Sequence, residues 1–561
     1  MGYAHLHTHS YFSFHAGVNS VQELVSRAKV MGMRSLALTD TDRTSGLILF
    51  YLACKEEGIH PILGVELTES DESPHYVVLI AKNAEGYGDL CEIVSKRHLN
   101  PHFSFSALFS KRWPNLIFMT HFMEIIHLIR ATPNRENLYA ELISNSEETR
   151  LRSKVLAADS EKVNVPVVAT NNVYFVDRQD WEIHRILTAI GLCSTLSRLK
   201  PGEYASSGAF LKSEQDMKRI FARQPQALAN IDKIVSQCNV ELRLNEWIMP
   251  RVTVPEGYTP DTYLRMIARE GLERNYAGTI HYEKAQNIQE MELEVIQKLG
   301  YPSYFLIVRE VRDWANEYLS GGHRRRKDCS ILRGSAANSI TFYNIDVSDL
   351  DPIKYDLYFQ RFLNEDRASP PDADLDFGWD ERDEVLEYII DRWGEDRVAI
   401  TCTTNHFRGR AAFRETAKVF GYSEEQISEI AKSWKTVSSR IFDPEIERIL
   451  TIAGKIRGKP RFLGQHPGGV LITNDPIWRH VGLERSGGEK DRIITQVDMH
   501  NGIDELGLIK FDILGNGSLS VFRDAIDQLR EQGLRDPEAW NLEKCYADPK
   551  VKEIIAKGRT K

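Results

Sequence analysis

Cysteine is scarce and scattered. Seven residues, at positions 54, 91, 193, 238, 329, 402 and 545, include no CxxC pair. That spacing supplies neither a disulfide framework nor a cysteine zinc site. Long apolar runs are also lacking: no stretch approaches the ~18 uninterrupted apolar residues of a membrane span. The opening segment, MGYAHLHTHSYFSF, has neither the basic start nor the apolar run of a secretory signal. A cytoplasmic location without a membrane partner is the expectation. There is no internal repeat, no long low-complexity tract and no surplus of positive charge, the formal net charge being −9. A nucleic-acid enzyme needs only a local basic surface, because phosphate neutralisation is local. The charge balance therefore neither supports nor excludes nucleic acid, and the motifs must decide.

What is present is an ordinary globular composition, 42% hydrophobic and 27% charged over 561 residues, long enough for three or four domains of ~150 residues. Compact β-like runs at Ser35–Thr39, Pro61–Leu67, Tyr76–Ala81 and Pro166–Thr170 alternate with helical periodicity such as Val21–Met31. This alternation predicts an α/β layer or barrel with parallel strands joined by helices. The proline-rich stretch Pro250–Pro260 marks a domain boundary. Helices follow, notably Leu293–Trp314, then a mixed region to about residue 404, a helical stretch over 405–460 and a glycine-punctuated β region from Gly464 to Gly515.

The sharpest chemical signal is Pro370-Pro371-Asp372-Ala373-Asp374-Leu375-Asp376-Phe377. On a strand, residues two apart share a face, so the three acids would line one side. Crowded carboxylates call for a cation, and Mg²⁺ suits oxygen ligands; the bland alternative is an acidic edge facing water. A second signal is Asp512, one acid inside the apolar run Leu508–Gly515, on the same face as Lys510. A buried aspartate needs a partner or a metal, and a private Lys510–Asp512 ion pair would also satisfy it. A third is Arg333-Gly334-Ser335-Ala336-Ala337-Asn338-Ser339, where small residues leading into a helix let backbone N–H groups approach phosphate oxygens. A tightly packed helix start is its alternative. The basic run His323–Lys327 just before it reads as a solvated loop or a DNA contact.

Taken in order, these segments resemble the C-family bacterial DNA polymerase III α subunits. The likeness runs through nearly the whole chain: Tyr3–Leu67, Phe210–Met217, Met249–Tyr263, Glu294–Ala315, Asp349–Phe377, His466–Leu471 and Ile509–Leu519 all carry it. The resemblance implies an α/β and α+β multidomain fold, a polymerase-and-histidinol-phosphatase (PHP) type (β/α) barrel followed by a polymerase-β-like nucleotidyltransferase palm with a helical thumb. Its expected divisions are a PHP domain with its connecting region over 1–248, palm over 249–404, thumb over 405–460, palm again over 461–520 and the start of the fingers over 521–561. It makes Asp374, Asp376 and Asp512 the catalytic metal ligands for two Mg²⁺ ions, with Asp372 a supporting acid. Arg333, Gly334, Ser335, Arg361, Lys510 and Arg414 become candidates for holding the incoming dNTP. The implied reaction is template-directed transfer of a nucleotide to a primer 3′-hydroxyl, with primer–template DNA as partner.

Three departures stand out. Leu332 occupies a position where the family usually has glycine, the loop before it is unusually basic, and the family continues beyond Lys561 into more of the fingers, a duplex-binding module and the site for a sliding clamp. The expectation is therefore a truncated or split subunit, with clamp and other replisome contacts made through the remaining part. At the N-terminus, His5-Leu6-His7-Thr8-His9 resembles the opening of a PHP domain, where alternating histidines on a strand face a small metal cluster. His7, His9, Glu66 and His75 are the candidate ligands there, for zinc or manganese. Yet His15-Ala16, Thr41, Asn172 and Tyr174 stand where active members carry further ligands, which favours a scaffold. Two other readings remain beside the polymerase: a PHP phosphoesterase or 3′→5′ exonuclease, and a non-catalytic fragment that binds DNA or partners.

Overall fold

The computed structural model of the chain describes residues 3–319, 330–366, 370–433, 443–533 and 548–558. The basic run His323–Lys327 lies outside the described residues. Two compact units account for the chain: Met1–Pro250 with Trp393–Lys510, and Arg251–Arg392 with Phe511–Lys561.

The first unit contains a six-stranded sheet in sequence order: β1 (Ser35–Leu38), β2 (His60–Thr68), β3 (Tyr76–Ala81), β4 (Leu116–Thr120), β5 (Leu138–Ile143) and β6 (Val167–Thr170). These strands are apolar along nearly their whole length because both faces are covered, as in an α/β layer. The pairing differs from the all-parallel layer expected. β1–β2, β4–β5 and β5–β6 are parallel, whereas β2–β3 and β3–β4 are antiparallel. For β2–β3 the reason is connection length: the short loop 69–75 holds no crossover helix and permits only a hairpin, and β4, parallel to β5, then meets the reversed β3 antiparallel. The histidine segment at the N-terminus, expected as a strand, is irregular and carries one isolated β-bridge, Thr8 to Val173, beside backbone hydrogen bonds to Ala37 and Thr39 of the β1 segment.

The same unit holds a second set of strands. β9 (Val398–His406) pairs with β10 (Pro460–Ile472) antiparallel, and β12 (Ile493–Asp498) joins β9 parallel and β11 (Leu483–Arg485) antiparallel. Helices Gly409–Val419, Glu424–Ser433 and Pro444–Ile456 fill the excursion between β9 and β10. They are amphipathic, and Phe413, Ala417, Ile449 and Ile452 share one apolar cluster with Ile183, Ile186 and Leu187 of helix Trp181–Gly191. Leu471, Ile477, Val481, Leu483, Val497 and Ile503 likewise belong to the core of the six-stranded sheet. Polar ties cross at the same seam, where Thr44 N donates to Gln496 Oε1 (2.9 Å) and the Tyr87 hydroxyl to the His480 carbonyl (3.0 Å). Residues 393–510 are therefore an integral part of the N-terminal unit's core.

The second unit opens with three helices, Pro260–Tyr276, Tyr282–Lys298 and Pro302–Tyr318. The first starts on a capping box, Thr259 with Thr262, and has proline in its first turn. Beside them lie β7 (Ser330–Arg333), β8 (Asp374–Gly378) and the body of β13 (Lys510–Asn516). β8 pairs antiparallel with β7 and parallel with β13, so it is the central strand of this set.

Candidate functional site

Register places the acids. Asp374 opens β8 and is paired with Asp512 of β13 on one side and with Arg333 of β7 on the other. Directly paired residues share a face, so one aspect of this ladder carries Asp374, Asp512 and Arg333, with Asp376 two residues further along it. Carboxylate oxygens of Asp372, Asp374 and Asp512 lie within 4.8 Å of one another. Asp376 is buried on the same strand and accepts from Arg333 Nε (3.2 Å) and Asn516 Nδ2 (2.9 Å). Of the expected metal trio, then, Asp374 and Asp512 converge closely and Asp376 is held by an arginine and an asparagine. Asp372, expected in a supporting place, joins the tight cluster. Three hard oxygen donors at this separation could hold a divalent cation.

Arg333 sits in the field of these acids. Desolvation pulls its pKa down, but Asp376, then Asp374 and Asp512, outweigh that and hold it above the ordinary arginine value. The next residue, Gly334, adopts φ +76°, a conformation that side chains rarely take, and Asp374 Oδ2 would stand 3.8 Å from a Cβ placed there. The glycine thus lets the chain turn tightly beside the acids. The segment after it differs from the expected helix start. Gly334–Asn338 is a 3₁₀ turn, and the short helix Ile340–Asn344 that follows has its first N–H groups already taken. Glu292 accepts from Ile340 N (3.0 Å), Thr341 N (2.9 Å) and the Ser339 hydroxyl (2.7 Å). A carboxylate from a neighbouring helix fills the place where a phosphate was expected to gain from a helix end. Burial raises Glu292 to about 7 against the downward pull of these hydrogen bonds.

Tyr304 braces the acid strand from below. Ala373 N, between Asp372 and Asp374, donates to its hydroxyl oxygen (2.8 Å), and its ring stacks on Phe511 at 4.9 Å between centroids. One fully buried ring thereby touches the residue before Asp374 and the residue before Asp512. Among the remaining dNTP candidates, Ser335 is half-buried in the 3₁₀ turn, Arg361 is exposed at the end of the turn Phe359–Arg361, and Arg414 pairs with Glu424. The stem of Lys510 lies against Gly469, whose missing Cβ would come within 3.0 Å of Lys510 Cδ.

The histidine pocket is a second cluster, in the first unit. His7, His9 and Glu66 offer ligand atoms within 4.8 Å of one another. His7 is already clamped: Nδ1 is 2.6 Å from Glu141 Oε1 and Nε2 is 3.0 Å from Glu66 Oε2. Desolvation disfavours its proton, but Glu141 and Glu66 prevail and raise it to about 10. His9, lowered to about 4 mainly by desolvation, lies under the stacked ring of Tyr174 (4.1 Å) and within 3.1 Å of Asn172 Oδ1. Thr41 donates to Glu66 Oε1 (2.8 Å). The three residues standing in ligand positions thus surround the pocket, while His75 packs edge-on against Phe122 and is outside the cluster. Sequence reasoning missed Glu141, Glu292, Tyr304 and Asn516. Glu141 carried a usable signal, a single acid in the apolar strand LYAELI, the same signal that marked Asp512.

The arrangement has relatives. Residues 5–155 match the PHP domain, and residues 262–515 match the bacterial DNA polymerase III alpha NTPase domain. The chain is 31% identical over 597 residues to the DNA polymerase III subunit alpha of Escherichia coli, covering 96% of this chain and 50% of that protein. It is 30% identical over 593 residues to the error-prone DNA polymerase of Mycolicibacterium paratuberculosis, covering 99% and 53%, and 31% identical over 586 residues to that of Pseudomonas paraeruginosa, covering 100% and 55%. The chain spans about half the length of the curated relatives it matches. With a PHP region followed by a region that matches the bacterial DNA polymerase III alpha NTPase domain and whose acids converge from two strands, the chain is similar along nearly its whole length to bacterial DNA polymerase III α subunits and error-prone DNA polymerases.

Proposed function

We propose that this chain carries the catalytic acids of a template-directed DNA polymerase, which adds nucleotides from dNTPs to a primer 3′-hydroxyl. The observation that carries the reading is the approach of Asp372, Asp374 and Asp512 within 4.8 Å, from strands far apart in sequence, with Asp376 beside them. Asp374, Asp376 and Asp512, joined by Asp372, would hold two Mg²⁺ ions. When bound, such a pair lowers the pKa of the primer hydroxyl and neutralises the triphosphate and the departing pyrophosphate. The residues of the second unit orient and balance charge: Arg333, Gly334 and Ser335 receive the triphosphate, and Arg361 adds positive charge to its path. Template sequence is read by base pairing, with the protein directed at the backbone.

The PHP region serves as scaffold. Its three surviving donors are hydrogen-bonded to one another or to Thr41, Asn172, Ser13 and Glu141, which leaves a poor donor set for a zinc or manganese cluster. The location is cytoplasmic; among the described residues, no helix is long and apolar enough to cross a membrane. A sliding clamp and other replisome subunits are the partners of the full-length assembly. The test is primer extension in Mg²⁺ by this chain supplemented with the C-terminal part of a relative. Loss of extension on Asp374→Ala or Asp512→Asn supports the reading, and undiminished extension by both variants refutes it.

A further inference from the structure

Four carboxylates, Asp372, Asp374, Asp376 and Asp512, crowd one face of the β7–β8–β13 ladder, two of them buried. Like charges this close repel unless a cation stands among them. The cation present is part of the chain. Arg333 ends β7 opposite Asp374, and its guanidinium lies 3.5 Å from Asp374 Oδ2 and 3.2 Å from Asp376 Oδ1. Asn516 holds the other oxygen of Asp376. A guanidinium at these distances engages two of the four acids, one of them, Asp374, a member of the close Asp372–Asp374–Asp512 cluster.

The geometry points to Arg333 as a built-in counter-cation that a divalent metal must displace before the acids can work. This rests on the reading of those acids as metal ligands. Two features suit the side chain to the exchange. About half of it is exposed (52%), so it has somewhere to go. It also stands next to Gly334 and Ser335, where the phosphates of a nucleotide are proposed to lie, so the released guanidinium meets an anion in place of the carboxylates it leaves. Metal binding and phosphate binding are then coupled through one side chain: the metal frees the arginine for the phosphates, and phosphates that capture the arginine open the acids to the metal. Without nucleotide the acids stay neutralised and the affinity for metal stays low.

Mn²⁺ binding to the full 561-residue chain, followed by electron paramagnetic resonance without DNA or nucleotide, tests the exchange. Arg333→Ala should bind Mn²⁺ ~10-fold or more tightly than the unaltered chain, since a competing positive charge is gone. Arg333→Lys, which keeps the charge but cannot span two carboxylates, should fall between. Asp374→Asn should weaken binding on either background. Circular dichroism checks that each variant is folded, and Arg333→Gln replaces Arg333→Ala if the latter is not. Equal or weaker Mn²⁺ binding by the neutral variant, still sensitive to Asp374→Asn, overturns the exchange while leaving the acids as metal ligands. Binding that ignores Asp374→Asn, or no binding by any variant, overturns both.

Discussion

Consider replacing Tyr304 by phenylalanine. The change removes one oxygen and keeps the ring, so the stack on Phe511 (4.9 Å, 16° between planes) survives. What is lost is the acceptor for Ala373 N, a buried amide between two of the acids that is 2.8 Å from the hydroxyl. A buried donor stripped of its partner costs about 1–3 kcal/mol, and each 1.4 kcal/mol is about a tenfold change in an opening equilibrium. Because the chain has two units, a single global unfolding energy is the wrong measure. Hydrogen exchange at the Ala373 amide reads the local effect directly: Tyr304→Phe should speed it about 10- to 100-fold. Amides of helix Pro260–Tyr276 should change little. Mn²⁺ affinity should drop several-fold with it, as Asp372 and Asp374 lose their common anchor. Tyr304→Leu, which also discards the ring, should do worse on both measures. An Ala373 amide that exchanges at its original rate in Tyr304→Phe would show that the strand is held by its ladder alone.

Other expectations follow from the same geometry. Replacing His7 by leucine leaves Glu66 and Glu141 buried without their cation and should cost about 3–5 kcal/mol of stability in the first unit, measured by denaturant unfolding followed from Trp113. The purified full chain should carry substoichiometric zinc or manganese and no 3′→5′ exonuclease activity dependent on His7; two tightly held metals per chain at that pocket would defeat the scaffold reading. Glu292 has a folded pKa of about 7, above its reference of 4.5. A raised acid binds its proton more tightly in the folded state, so its contribution is full below about 4.5 and is lost as the pH climbs through about 7. Glu292→Gln should remove up to about 3 kcal/mol of that decline between pH 4.5 and 8, seen in melts across the range.

The acids were legible because strand periodicity and an acid inside an apolar run are local signals. Asp374 and Asp512 could be singled out from their immediate neighbours, but their pairing across β8 and β13 could not, because parallel register joins residues more than a hundred positions apart. The same limit hid Tyr304 and Glu292, which look like ordinary residues of apolar helices until the chain brings Ala373 and Ile340 to them. The local reading could not rank Asp372 against Asp376: both share a strand face, and the Arg333 and Asn516 side chains that hold Asp376 come from other strands. The all-parallel sheet failed on both sides of β3, reversed by the short loop 69–75, whose length was visible in the sequence. The three substitutions at the histidine pocket were readable one by one. That Glu141 would turn His7 into an internal cation was not.

The interleaving of the first unit has a consequence for synthesis. Leu471, Leu483 and Val497 close the core begun by Leu36, Ile62 and Leu79. A ribosome therefore completes the six-stranded sheet at Thr170 about three hundred residues before Leu471, at about 5–20 residues per second. For tens of seconds the nascent six-stranded sheet waits with an apolar face open to water, while the acid-bearing strand β8 is made in between. Nicking or deleting the histidine-pocket region later would reopen that face. The region is thus required by folding, whatever its histidine pocket binds.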